Sequence, residues 1–295
     1  MLTFALAACG EKAPEPAATE TPTAAEKGPA LWRVGDADTT VYLFGTVHVL
    51  PPELEWRKSS VDKALSEAKA IYFETDLDPN PAELLPIIQQ LGMYPPGDKL
   101  SDHLKPDDRT ALAAAARRLQ MPMAMIEQMK PWLAAVTLSE RMITNAGYDV
   151  NSGVERKLAP TAAAAGKEIR KLETVQEQLL VFADLPEEVQ IRFLMDGVNE
   201  IDEESTILDD MVKAWAAGDM DKLDKIMIEE DLAENPEIYA ALLVNRNRNW
   251  VRKIDELIES EAGTFFIAVG AAHLTGKDSV IAKLPPLGYV AERIE

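Results

Sequence analysis

The chain has 295 residues, with 50 acidic against 30 basic side chains for a formal charge of −20, and only 3 histidines and 1 cysteine. That length holds one large or two ordinary domains. The charge repels a nucleic-acid backbone and no Lys/Arg cluster offsets it, no apolar run reaches the roughly 18 residues of a membrane-spanning helix, and a lone cysteine excludes internal disulfides and thiolate zinc sites.

In chain order, Leu2-Thr3-Phe4-Ala5-Leu6-Ala7-Ala8-Cys9 is a short apolar run with small residues before the cysteine, the form of a secretory signal and its cleavage site. Leu6-Ala7-Ala8-Cys9 resembles the lipobox of bacterial lipoproteins, which implies a signal peptide over 1–8 and lipidation of Cys9. Met1-Leu2-Thr3 lacks the basic residues of such a signal, and a buried cysteine in a short strand is the alternative. From Glu11 to about Lys27 only Ala, Pro, Thr, Glu, Lys and Gly-poor polar sequence follows, a composition unable to offset chain entropy, so 9–29 reads as a disordered tether. The expected location is the bacterial periplasm, on the outer membrane, with membrane contact through the lipid anchor only. An oxidising periplasm suits a chain with no second cysteine.

Residues 30–295 read as a single domain. Leu31–Val34 and Thr39–Val49 are a strand pair about a Gly35-Asp36-Ala37-Asp38 turn. A helical stretch at 57–69 precedes the strand Ala70–Glu74, and Asn80-Pro81 with Glu83 opens the next helix. Further helices begin near Pro106 and run from Met123 to Asn145. Glu168–Glu173 is a short strand, and Thr174-Val175-Gln176-Glu177 has the form of a capping box. From Pro186 to Ser260 the pattern is helical, before strands at Thr264–Gly270 and Tyr289–Ile294. The predicted fold is α/β, a central mixed sheet built from N- and C-terminal strands with a large helical insertion.

Two of the three histidines share one frame. Phe44-Gly45-Thr46-Val47-His48 and Val269-Gly270-Ala271-Ala272-His273 each close an apolar strand with a glycine and two small or β-branched residues before His. The carboxyl end of a sheet strand is where α/β folds place ligands. Glu74 and Glu173 echo this, each ending a strand candidate as Glu-Thr. Two imidazoles with one or two carboxylates can hold a divalent metal and leave a position for water, which the ion activates toward neutral pH. Helical spacing places Arg246 and Trp250 on one face, where the guanidinium could be aimed at an anion. His103 lacks the glycine frame and reads as structural, and Met121, Met123, Met125 and Met129 with Trp132 read as core.

Gly45-Thr46-Val47-His48, the Glu74 strand, Leu172-Glu173-Thr174 with Gln178, Arg246-Asn247 with Trp250, and Gly270-Ala271-Ala272-His273-Leu274 with Gly276 together resemble the TraB/GumN family, related to the Tiki metalloproteases. The resemblance covers residues 30–295 and departs at Ser279, where a further glycine is usual. It implies His48, Glu74 and His273 as metal ligands, Glu173 as a second carboxylate ligand or general base, and Arg246 with Asn247 as polarisers of the scissile carbonyl; the two Glu roles are interchangeable at this level. It further implies a divalent cofactor, Mn²⁺ or Co²⁺ with Zn²⁺ as a third candidate, and a peptide or protein substrate. The reading is a lipid-anchored, metal-dependent hydrolase of the peptidase kind. The alternative is a non-catalytic lipoprotein holding a peptide or a haem-like ligand in the same pocket.

Overall fold

The apolar segments pair into one mixed sheet of β1 (Leu31–Gly35), β2 (Thr39–Thr46), β3 (Ala70–Phe73), β4 (Glu168–Lys171), β5 (Gly263–Gly270) and β6 (Glu292–Arg293). The coordinates are a computed structural model that describes residues 28–295 except 200, 202, 203, 230, 231, 233 and 234. Cys9, the signal peptide and nearly all of the tether lie outside the described residues. Strand order is β4-β3-β5-β2-β1-β6. The C-terminal strand β5 lies between β2 and β3 and parallel to both, so the N- and C-terminal segments share the centre of the sheet, as the α/β reading predicts.

Burial explains the strand sequences. β2 and β5 are nearly continuous apolar runs because helices cover both faces of the sheet's parallel centre. On one face Leu31, Phe44, Phe73 and Phe266 pack with Trp56 and Trp215; on the other Leu43, Phe265 and Ile267 pack with Trp250 and Ile254. β1 instead runs antiparallel to β2 through a turn in which Asp36 Oδ1 accepts from the Thr39 N–H at 2.9 Å. The helical insertion has a core of its own, including Leu112, Ile126, Leu138 and Leu194.

Three local details differ from the sequence reading. β2 ends at Thr46 rather than Val49, because the Val47 carbonyl accepts from Val154 N–H of the Val154–Ala164 helix at 3.1 Å. The helix expected over Met123–Asn145 is two, Met123–Ile126 and Pro131–Asn145. Pro131 disfavours helical backbone at Lys130, whose ψ is 158°. β6 is only Glu292–Arg293.

Register sets up the site. β3 and β4 align Phe73 with Lys171, and the ladder continues as Leu172 N–H to Phe73 O at 2.9 Å and Glu173 N–H to Glu74 O at 2.8 Å. β2 and β5 align Thr46 with Gly270. The carboxyl ends of four parallel strands therefore bring Glu173, Glu74, Gly270 and Thr46 to one edge, where such sheets place ligands. No helix among the described residues is long and apolar enough to cross a membrane.

Candidate metal and catalytic centre

Gly270 is the floor of the site. A Cβ there would lie 3.1 Å from Glu74 Oε1, 3.4 Å from His48 Nε2 and 3.6 Å from His273 Cδ2, so the missing side chain is what leaves room for these three side chains to approach one another. The Gly270 N–H donates to Glu74 Oε1 at 2.7 Å. Glu74 Oε1 is 3.8 Å from His273 Nε2.

Each histidine is held by its Nδ1. His48 Nδ1 lies 2.8 Å from Oε1 of Glu155, a buried carboxylate that also accepts from Thr46 Oγ1. The His48 side chain is 61% exposed, and its Nε2 lies toward Gly270, 3.4 Å from where a Cβ there would be. His273 is buried, with Nδ1 2.6 Å from Asn247 Oδ1 and its ring against Trp250. The Asn247 amide nitrogen donates to the Asp278 carbonyl at 2.9 Å, which fixes the amide so that its oxygen accepts from His273 Nδ1–H. Both rings thus present Nε2 to the centre.

Arg246 joins the remaining groups. Its Nη2 donates to Glu74 Oε2 at 2.5 Å and to Glu173 Oε1 at 2.7 Å, its Nε donates to Glu173 Oε2 at 3.2 Å, and its Nη1 donates to His273 Nε2 at 3.0 Å. The guanidinium lies over Trp250 at 4.6 Å, the shared face that the sequence spacing predicts. Gln178 Nε2 donates to Glu74 Oε2 at 3.3 Å.

The electrostatics follow. The Glu155 carboxylate raises the His48 imidazole to about 9. Burial lowers His273 to about 3, a neutral ring at physiological pH. Burial pushes the Glu74 carboxyl up, but His273, Arg246, His48 and the Gly270 N–H outweigh it and hold the group at about 2. Burial raises Glu173 against the opposing pull of Arg246.

The donor set suits a divalent transition ion in kind: imidazole and carboxylate, with each Nδ1 engaged by a partner so that Nε2 would be the coordinating atom. Its spacing is open, since among the described residues no three His, Cys, Asp or Glu side chains enclose one point. Arg246 supplies the positive charge between Glu74, Glu173 and His273, and an ion bound at His273 Nε2 would take the place of its Nη1–H.

The structure brings His48, Glu74, Glu173, Arg246, Asn247 and His273 into one cluster. Asn247, grouped in the sequence with Arg246 as a polariser, is 1% exposed and has both ends of its amide committed, one of them to His273. His103 lies elsewhere, stacked on Tyr94 and bonded to Asp98. The residue that sequence reasoning missed is Glu155. Its helix starts close to the first histidine because a Cβ on Gly153 would lie 2.1 Å from the His48 carbonyl oxygen. The available signal was an acidic residue two positions after a glycine, at the start of an otherwise apolar face carrying Val154 and Leu158.

The profile of the TraB/PrgY/gumN family matches residues 30–293. Metalloprotease TIKI1 of Homo sapiens is 25% identical over 92% of this chain and 63% of its own length. Metalloprotease TIKI2 of Xenopus tropicalis is 25% identical over 89% of this chain and 59% of its own, and metalloprotease TIKI1 of Danio rerio 24% identical over 89% and 62%. The chain spans about three-fifths of the length of these relatives. No solved structure matches it.

Proposed function

We propose, from the premise that the chain belongs to the TraB/PrgY/gumN family, that it is a metal-dependent hydrolase of peptides or proteins working in the bacterial periplasm, lipid-anchored to the outer membrane through Cys9. The observation that carries the activity is the pair of imidazoles with fixed Nδ1 atoms meeting a carboxylate over Gly270. Relatives named metalloproteases support it. Lipid anchoring rests on the Leu6-Ala7-Ala8-Cys9 sequence alone.

His48, Glu74 and His273 would hold the ion, Mn²⁺ or Co²⁺ by family resemblance, which when bound would supply an activated water and a polarised carbonyl. The chain's own groups do the rest. Glu74 is the carboxylate ligand, since its Oε1 faces Gly270 and His273, whereas both Glu173 oxygens face Arg246. Glu173 is the general base, a carboxylate next to Glu74 whose proton affinity burial raises against the pull of Arg246. Arg246, held by Glu173 and stacked on Trp250, is the cation of the cluster that would stabilise the charge developing on the carbonyl oxygen. Glu155 and Asn247 act through the histidines they orient.

The test is cleavage of a peptide library by purified protein with and without Mn²⁺ or Co²⁺, beside Glu173→Gln. The expected result is metal-dependent cleavage that falls about 100-fold or more in the variant. Cleavage indifferent to metal and to Glu173 would remove the assignment.

A further inference from the structure

The helix Val175–Ala183 carries Val175, Leu179, Leu180, Val181 and Phe182, yet none of its residues is buried. A helix so apolar normally sits inside a core. Phe182 is accounted for by the rings of Trp132 and Phe193. Leu180 and Val181 instead wall a cleft of about 380 Å³, whose lining also includes Leu185, Ala241 and Trp250. That is the size of a small-ligand subsite. A larger apolar cavity of about 510 Å³ lies within the insertion, but no residue of the centre lines it.

Glu173 and Arg246 of the centre also line the cleft. The same helix begins directly after Glu173, at the Thr174–Glu177 capping box, and carries Gln178, which donates to Glu74. One element thus steadies the glutamates on one side and leaves its apolar side chains facing an open cleft on the other. We infer that this cleft is the subsite for an apolar, leucine-sized side chain of the substrate, next to the bond being cut. This rests on the hydrolase reading above and adds the substrate class.

Charge decides between a peptide and a lipid surface. Glu173, Glu177 and Asp184 line the cleft against Arg246, which is paired with Glu173, and Lys253, which turns its ammonium to the Leu172 carbonyl. With a chain charge of −20, an anionic membrane is repelled while an uncharged or cationic peptide is not.

The experiment compares full-length wild type with Val181→Trp, which fills the cleft, and Val181→Ala, which enlarges it with little risk to folding. Cleavage is measured on three peptides that differ only in Leu, Phe or Glu at one position, and binding of acetyl-leucine amide is followed by the Val181 methyl resonance of wild type. The wild type is expected to prefer the Leu peptide by about tenfold or more. Val181→Trp should lose that preference, and Val181→Ala should shift it toward Phe. Peptide cleavage with a preference untouched by both variants overturns the subsite while leaving the hydrolase reading intact. If no peptide is cleaved, the hydrolase reading fails and the methyl resonance decides the cleft: a saturable shift with acetyl-leucine amide supports it, and no shift overturns it. Binding to phosphatidylglycerol vesicles that Val181→Trp weakens, without any response to the peptide probe, overturns it in favour of membrane docking.

Discussion

At the scale of single residues, the two histidines are alike in sequence and unlike in surroundings. His48 is exposed and backed by a carboxylate, whereas His273 is buried and backed by an amide. The repeated glycine frame made both legible because it is a local pattern. Glu155 was not legible, since it lies 107 positions from His48 and its meaning comes only from the fold. The Glu155→Gln variant keeps an oxygen that can accept from His48 Nδ1 but loses the charge, while Glu155→Ala removes the partner altogether. Divalent-ion affinity measured by calorimetry should fall by about 10- to 100-fold in Glu155→Ala, the usual effect of losing a group that orients a ligand. Unchanged affinity would leave Glu155 as packing only. Arg246→Lys keeps the charge but cannot donate at once to Glu74, Glu173 and His273 in the planar arrangement seen here. Its kcat is expected to drop by about 100-fold or more, as for loss of an oxyanion donor. A near-normal kcat would mean that only the charge matters.

At the scale of elements, strand positions were readable because β2 and β5 are continuous apolar runs, and the capping box at Thr174 was readable because its partners are three residues apart. What local pattern could not show was the order of strands, which puts C-terminal β5 between β2 and β3. Nor could it show the close seating of the Val154–Ala164 helix on the His48 loop. Gly153 is the hinge of that seating. Gly153→Ala would place a methyl 2.1 Å from the His48 carbonyl oxygen, which has no way to yield except by moving the backbone. Urea denaturation should show a loss of about 1–3 kcal/mol, with metal affinity reduced as Glu155 is carried away from His48. Full stability in this variant would contradict the close approach. In contrast, Thr174→Ala removes a hydroxyl that caps Glu177 N–H at 3.1 Å, and should cost about 1 kcal/mol.

At the scale of the whole molecule, the carboxyl edge of the parallel strands concentrates titratable groups whose shifts oppose one another. His48 is raised to about 9 by Glu155, so its contribution to stability is complete below its unfolded value of 6.5 and is lost as pH rises through about 9. His273 is lowered to about 3, so its unfolded form takes up a proton first, and stability falls as pH drops from 6.5 toward 3. Glu74, held at about 2 against an ordinary 4.5, adds a further loss as pH falls from 4.5 through about 2. The metal-free protein should therefore melt highest near pH 6.5, and Glu155→Ala should flatten the alkaline limb selectively. An unchanged alkaline limb would remove the His48–Glu155 pair from the balance. The central claim, a divalent ion held jointly by the two ends of the chain, is tested most directly by titrating Mn²⁺ and Co²⁺ into wild type, His48→Ala and His273→Ala. The account predicts one bound ion per wild-type chain and at least a 100-fold weaker affinity in each variant, about 2.7 kcal/mol. No binding by the wild type, or equal binding by all three, would contradict it.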